Sequence, residues 1–260
     1  MKTNPGPESQ RAVAESFGVD AERYDRTRTR YPAELIDQIA GRGRDVLSIG
    51  TGTGIEARQL SAAGCRVLGV EPDERMAAFA REHGTDVEVA TFEDWDARGR
   101  DFDAVVAATA WHWIDPAAAA AKALQILRPA GRLSVFWNAA QPPQPISHAL
   151  AEAIRHAYPD APVPPPTLSV SQAYTAMRDT AAGGIAAAGG FAGVHTQRID
   201  WRQSYTREQW LDQLSTTGLL TRAPTAVREV VEARVGAAID AVGGEFTVDY
   251  ATIVVTAERR

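Results

Sequence analysis

The sequence predicts an α/β fold with a mostly parallel sheet and helices on both of its faces. From Asp45 onward, short apolar runs alternate with segments of helical spacing, and the connections between them are short. Such alternation is typical of a parallel sheet covered by helices. The first run, 45–49, leads into closely spaced glycines, Gly50, Gly52 and Gly54. A glycine-rich turn between a strand and a helix is typical of a nucleotide site.

The elements before residue 141 are assigned in chain order. The polar segment 1–30 predicts a helical cap, and Pro32 suits the first position of a helix that continues to residue 40. The core then follows, with strands 46–49, 67–70, 87–90, 104–107 and 133–137, helices 56–63, 74–82 and 115–127, and a turn at 129–131.

The pattern changes after residue 140. The proline-bearing linker 141–145 leads to a helix at 146–158 and to a proline-rich stretch, 159–166, that excludes regular structure. Later elements are a glycine-weakened helix at 171–188, strands 194–201 and 246–256, and helices 207–214 and 226–241. The two late strands predict a seven-stranded sheet closed by an antiparallel last strand. We expect a single domain overall, made of the cap 1–30, the core 31–140, a lid insertion 141–188 and the rest of the core 189–260.

Composition narrows the function classes. The chain of 260 residues carries a formal net charge of −6, which argues against a nucleic-acid partner. The single cysteine, Cys65, excludes internal disulfides and cysteine-based zinc clusters. No apolar stretch is long enough to span a bilayer, and the first ten residues lack the apolar core of a signal peptide. These features predict a cytoplasmic protein, and they do not indicate its oligomeric state.

The glycine turn and the next strand together predict the ligand. The second strand ends at Glu71, about 20 residues past the turn, where a carboxylate can accept hydrogen bonds from ribose hydroxyls. A dinucleotide fingerprint requires a third glycine at the position of Ile55. The spacing here is G-x-G-x-G instead, which disfavours a nicotinamide dinucleotide.

The stretch from Tyr24 to Asn138 resembles the class I S-adenosylmethionine (SAM) methyltransferases, in the small-molecule branch that contains trans-aconitate-methyltransferase-like proteins. The resemblance is carried by the glycine turn with Thr51, and by these segments: Tyr24-Asp25, Arg28, Tyr31-Pro32, Glu71-Pro72, Thr91-Phe92-Glu93, Trp111-His112-Trp113-Ile114 and 127–133. It implies a Rossmann-like fold and a SAM-dependent methyltransferase that releases S-adenosylhomocysteine (SAH) by SN2 transfer to an oxygen, nitrogen or carbon atom of a small molecule.

The resemblance also implies residue roles. The cofactor would be bound by the three glycines of the turn and by Tyr24, Arg28, Thr51, Glu71, Pro72, Thr91, Phe92, Glu93 and Thr109. Thr91, Phe92 and Glu93 would face the adenine. The methyl acceptor would contact Trp111, Trp113, Trp137, Asn138 and Tyr205, and His112 is the candidate general base. No metal is implied.

The chain departs from the family pattern at Ser48 and Thr91, where acidic residues are usual. Both departures could weaken SAM affinity. They keep one alternative open, a non-catalytic SAM-binding or regulatory protein of the same fold. A second alternative, a dinucleotide-dependent oxidoreductase, is disfavoured by Ile55 and by the absence of a Tyr-x-x-x-Lys pair.

Overall fold

The structure is a computed structural model that describes residues 17–41, 43–159 and 170–260. The strands are β1 Asp45–Ile49, β2 Arg66–Glu71, β3 Asp86–Val89, β4 Phe102–Ala108, β5 Leu127–Gln141, β6 Phe191–Thr206 and β7 Glu245–Arg259. The helices are α1 Ala21–Thr27, α2 Ala33–Ile39, α3 Ile55–Ala62, α4 Glu74–Glu82, α5 Pro116–Ile126, α6 Gln144–Ala157, α7 Val170–Ala187, α8 Arg207–Ser215 and α9 Thr225–Ala241, with 3₁₀ turns at Phe17–Asp20 and Trp111–Trp113.

The strands form one sheet in the order β3-β2-β1-β4-β5-β7-β6, which is mixed because the last strand is antiparallel. The predicted fold class is therefore confirmed. Strand β1 pairs in parallel with β2 on one side and β4 on the other, through Ile49–Val70 and Ser48–Val106. The strand order reverses at this point, and open α/β sheets bind ligands at such a switch, beyond the carboxyl ends of the strands.

The chain divides into two compact units. The core unit comprises 29–138, 172–199 and 252–260. Strand β1 is buried along nearly its whole length, as expected for a strand covered on both faces. Leu47, Val105 and Trp137 lie in its main hydrophobic core, and Ala181 and Ile185 of α7 belong to the same core.

The second unit comprises 1–28, 139–171 and 200–251, as far as these residues are described. It has a separate hydrophobic core, in which Ile146 of α6 packs with Trp210 of α8 and Val231 of α9. Helix α8 begins with a capping box between Thr206 and Gln209, which satisfies the first backbone N–H groups. The segment predicted as a lid, 141–188, thus contributes to both units, and its proline-rich part at 160–166 lies outside the described residues.

Two local differences from the predicted elements have physical reasons. The expected turn at 129–131 lies inside β5, where the pairing shifts from Phe102–Leu127 to Ala104–Arg132. Ala130 has a φ of 59° within this irregularity, so the chain bulges without leaving the sheet. Strand β6 is longer than predicted because, as the edge strand, it is mostly exposed and lacks a clear apolar pattern.

Candidate functional site

The glycine turn follows β1 and is closed to side chains at its first glycine and open at its second. Gly50, Gly52 and Gly54 have φ values of 61°, 56° and 83°, a region that favours glycine. A Cβ on Gly50 would come within 2.6 Å of the Cβ of Ala110, after β4. A Cβ on Gly52 would meet only the Met76 methyl, at 3.7 Å. The backbone at Gly52 can therefore be approached closely by a ligand.

Glu71 at the end of β2 lies directly against this turn. Its side chain is buried, and its two oxygens accept hydrogen bonds from the backbone N–H groups of Gly52, at 2.8 Å, and Asp73, at 3.0 Å. Burial raises the pKa of Glu71 to about 7, although these two hydrogen bonds act in the opposite direction. Asp73 caps α4 and pairs with Arg75. A further hydroxyl donor would therefore stabilise the ionised form of Glu71, and a ribose hydroxyl is the donor that the sequence predicts.

Thr91 follows β3 and has a structural task. Its hydroxyl accepts a hydrogen bond from the backbone N–H of Asp94 at 3.2 Å and donates one to the Asp94 carboxylate at 2.9 Å. This arrangement caps the turn that begins at Thr91. Of the three residues predicted to face the adenine, Thr91 thus has a hydroxyl that bonds within its own turn, and the adenine contacts of all three stay predictions.

The same loop is held by Lys122 of α5. Its ammonium group donates to the carbonyl oxygens of Glu93, at 2.9 Å, and of Trp95, and it lies 5.2 Å from the centre of the Phe92 ring. Phe92 and Trp95 are buried. Sequence reasoning missed Lys122, because the contact joins residues that lie far apart in the chain.

The loop after β4 is strained next to the glycine turn. Thr109 has a φ of 56°, which is rare for a β-branched residue. Its backbone N–H donates to the carbonyl of Phe136 at 2.8 Å, and its hydroxyl lies 3.1 Å from the hydroxyl of Tyr31. Strain of this kind persists where surrounding contacts enforce it, and it is common at functional sites. Thr109 therefore remains a good candidate for cofactor contact.

His112 is fixed by Trp137 of β5. The indole N–H of Trp137 donates to His112 Nδ1 at 3.2 Å, and the imidazole lies 4.5 Å from the Trp113 ring centre. Burial lowers the pKa of His112 to about 4. Because an indole N–H can only donate, Nδ1 is an acceptor, so the proton of the neutral ring lies on Nε2. Around pH 7 His112 thus offers an N–H donor at its other end.

Three further residues predicted to contact the acceptor lie in the core unit. Trp111 and Trp137 are almost fully buried, and within the described residues the Trp111 indole N–H has no hydrogen-bond partner. The Asn138 amide donates to Thr29 at 3.1 Å and accepts from Thr252 at 2.7 Å. Their roles toward an acceptor stay predictions.

Three other predicted residues belong to the second unit. The Arg28 guanidinium lies 4.7 Å from the Tyr24 ring centre and donates to the carbonyl of Thr216 at 2.7 Å. The buried hydroxyls of Tyr205 and Tyr250 are 2.7 Å apart. The predicted contacts of Tyr24 and Arg28 with the cofactor, and of Tyr205 with the acceptor, stay predictions.

A buried carboxyl that sequence reasoning missed lies behind the glycine turn. Glu56, in the first turn of α3, accepts hydrogen bonds from the hydroxyls of Ser48 and Thr51. The signal that was available is an acidic residue two positions after the last glycine of the turn.

Two other kinds of site are absent from the described residues. No cluster of three or more His, Cys, Asp or Glu side chains there suits a metal ion, and no helix there is long and apolar enough to cross a membrane.

The sequence of this chain is similar to those of known methyltransferases. Residues 47–135 match the family model described as a methyltransferase domain. Uncharacterized methyltransferases from Mycobacterium tuberculosis and Mycobacterium bovis are 38% identical over 133 residues, which cover 50% of this chain and 55% of each relative. A ubiquinone biosynthesis O-methyltransferase from Aromatoleum aromaticum is 35% identical over 114 residues, or 40% of this chain and 48% of the relative. The chain spans about half the length of the curated relatives it matches.

Solved structures agree at the level of the fold. A provisionally assigned type II methyltransferase from Anaeromyxobacter dehalogenans superposes with a TM-score of 0.66 at 20% identity, covering 88% of this chain and 97% of that one. Geranyl diphosphate C-methyltransferase from Streptomyces coelicolor, in complex with SAH, gives 0.52 at 13% identity, over 99% and 100%. Phosphoethanolamine N-methyltransferase 2 from Haemonchus contortus, also with SAH, gives 0.54 at 14%, over 98% and 60%.

Proposed function

We propose that this chain is a class I SAM-dependent methyltransferase that transfers the methyl group of SAM to an oxygen, nitrogen or carbon atom of a small molecule, a proposal supported by the match of residues 47–135 to the methyltransferase domain. The observation that carries the proposal is the contact between Glu71 and Gly52 at the switch point of the sheet. It places a buried carboxyl and an open backbone side by side, as a ligand with ribose hydroxyls requires.

The residues present fit SAM in a defined way. Glu71 would accept hydrogen bonds from the ribose hydroxyls, and Gly52 would allow the cofactor to touch the main chain because no Cβ intervenes. The loop that starts at Thr91 would hold the adenine, with Phe92 as its apolar contact. Arg28 is proposed as the partner of the cofactor's carboxylate, with Tyr24 as a cover.

The reaction needs little acid–base chemistry from the protein. When bound, SAM supplies an electrophilic methyl group on a sulfonium, which is already a good leaving group. The chain's residues then contribute alignment and exclusion of water, which can lower a barrier by several kcal/mol. The aromatic rings of Trp111 and Trp113 are proposed to line the acceptor side, since aromatic faces also attract a cation.

His112 is proposed to act as a hydrogen-bond donor to the acceptor. Its Nδ1 is occupied by the Trp137 indole, so its neutral form carries the proton on Nε2 and has no free lone pair for a base. Its pKa near 4 supports the neutral form. An acceptor that must lose a proton would therefore need another base or an already ionised nucleophile.

The acceptor's identity stays open within the small-molecule class. The two solved neighbours with SAH are a C-methyltransferase and an N-methyltransferase by name, so the fold is compatible with different target atoms. The net charge of −6 supports a small molecule over a nucleic acid. A cytoplasmic location is part of this proposal.

Calorimetric titration with SAM, SAH and NAD in parallel tests the cofactor. We expect micromolar binding of SAM and SAH and none of NAD, followed by methyl transfer in a screen of small acids, phenols, amines and alkenes. Binding of NAD alone would overturn the proposal. Binding of SAM with no transfer to any acceptor would favour the non-catalytic alternative.

The donor role of His112 has its own test. Long-range ¹H–¹⁵N NMR of the imidazole should find the proton on Nε2 near pH 7, with and without SAH. Once an acceptor is identified, His112→Gln, which keeps a side-chain N–H, should retain more turnover than His112→Ala. If His112 is instead a general base, both variants should lose about 10²–10⁴-fold.

A further inference from the structure

We propose that Glu56 is the positioning residue of the glycine turn and supplies, from helix α3, the carboxyl that is missing at Ser48. This inference rests on the proposed SAM site, since the turn it would position is the one assigned to the cofactor. Glu56 itself would not touch the cofactor.

The contacts of Glu56 converge on the turn. Glu56, Ser48 and Thr51 are all buried, with 4%, 0% and 2% of their surface exposed. The Thr51 hydroxyl donates to Glu56 Oε1 at 3.1 Å, and the Ser48 hydroxyl donates to the same oxygen. One carboxyl oxygen at the start of α3 thus accepts hydrogen bonds from the end of β1 and from the middle of the glycine turn.

Thr51 is the residue through which Glu56 would act. It lies between Gly50 and Gly52, and its backbone N–H lies 3.3 Å from the carbonyl of Val70. A Cβ on Gly69 would come within 2.5 Å of the Thr51 methyl, so β2 fits closely against this side chain. With its hydroxyl bonded to Glu56 and its methyl against Gly69, Thr51 has one orientation, and this fixes the backbone on either side.

The location of Glu56 makes a buried carboxyl tolerable. It lies in the first turn of an eight-residue helix, where the unpaired N–H groups favour negative charge. The N-cap of that helix, Gly54, provides no side-chain cap. Burial still raises the pKa of Glu56, against the two hydroxyl donors.

Ser48 and Glu56 form a hydroxyl–carboxyl pair that can be exchanged. In the variant Ser48→Asp/Glu56→Ser, the carboxyl moves to β1 and the hydroxyl to α3, and Thr51 keeps an acceptor. The experiment compares this double variant with Glu56→Ser, Glu56→Gln and the wild type. Glu74→Ser, which removes an exposed carboxyl from the first turn of α4, is the matched control.

Two readouts are measured on protein that circular dichroism finds folded. For Glu56→Ser we expect SAH affinity to fall at least about tenfold, a coupling in the range of contacting residues. Amide exchange at 50–52 should become faster. Glu56→Gln, which keeps an oxygen for both hydroxyls, and the exchanged double variant should recover both readouts to within about threefold of the wild type, a difference of about 0.7 kcal/mol.

The outcomes separate this inference from the proposed function. If folded Glu56→Ser keeps wild-type affinity and exchange, Glu56 is a structural residue only and the inference is wrong. If the double variant recovers neither readout, a carboxyl at position 48 cannot replace the one at position 56, and the inference that Glu56 supplies the missing carboxyl is wrong. If even the wild type fails to bind SAH, the proposed function falls, whereas the exchange rates still decide the role of Glu56.

Discussion

Replacing Glu71 with glutamine is the sharpest perturbation of the candidate site. Two backbone N–H donors point at its two oxygens, from Gly52 at 2.8 Å and from Asp73 at 3.0 Å. A glutamine has one acceptor oxygen and one NH₂ group, so one of these donors would face another donor. The variant also loses the negatively charged carboxylate whose oxygens would accept hydrogen bonds from the ribose hydroxyls.

The magnitude follows from those contacts. A hydrogen bond to a charged group contributes about 1.5–3 kcal/mol. Loss of about 2–3 kcal/mol weakens SAH binding about 30- to 150-fold at pH 8, where Glu71 is ionised. Calorimetry with SAH measures this directly, and Glu74→Gln, an exposed neighbour in the chain, controls for the loss of one negative charge.

The pKa of Glu71 adds a pH dependence with a definite sign. Its free-state pKa is about 7, and a ligand that donates hydroxyl hydrogens favours the ionised form. Binding should therefore lower this pKa and release a proton, so that affinity is near its full value at about pH 8 and falls as the pH drops through the free-state pKa. At pH 6 about one carboxyl in eleven is ionised, which predicts about tenfold weaker binding than at pH 8. Glu71→Gln should abolish this dependence. Equal affinity of variant and wild type, with no proton release, would refute the ribose assignment.

Three further substitutions test the packing around the site. Gly184→Ala should destabilise the protein by about 1–3 kcal/mol, since its Cβ would lie 2.6 Å from Pro116 Cβ and 2.8 Å from the Pro116 carbonyl carbon. Gly183→Ala, with open space around it, should stabilise by about 0.5–1 kcal/mol; thermal melts of both decide whether α7 packs there. Lys122→Met should loosen the loop after β3, because two carbonyls lose their shared donor. Its signature is faster amide exchange at Trp95, and unchanged exchange would contradict the anchoring role.

The fold can be predicted from the sequence because the patterns that indicate its strands and turns are local. Buried parallel strands such as β1 appear as continuous apolar runs, and Gly50, Gly52 and Gly54 mark the turn where φ is positive. The sequence predicts too short a strand at the edge, 194–201 instead of Phe191–Thr206, since exposure removes the apolar pattern that predicts a strand. The sequence predicts a turn at 129–131 where β5 only bulges, because proline and glycine mark both kinds of irregularity.

The candidate site can be predicted only in part from the sequence, because several of its hydrogen bonds join residues that lie far apart in the chain. The sequence places Glu71 beyond the glycine turn, but it does not reveal that Trp137 sets the tautomer of His112. A histidine between two tryptophans is consistent with a base or a donor, and the hydrogen bond from β5 favours the donor.

The two departures from the family pattern also gain physical meaning only in three dimensions. Thr91 caps its own turn through Asp94, so the acid expected there is replaced by a structural contact. At Ser48 the hydroxyl likewise donates to a carboxyl, that of Glu56 in the following helix. A motif scored residue by residue counts both as losses. Scored by where the carboxyl groups lie, each hydroxyl has a carboxyl within hydrogen-bond distance, Glu56 at Ser48 and Asp94 at Thr91, so neither departure by itself predicts a weakened site.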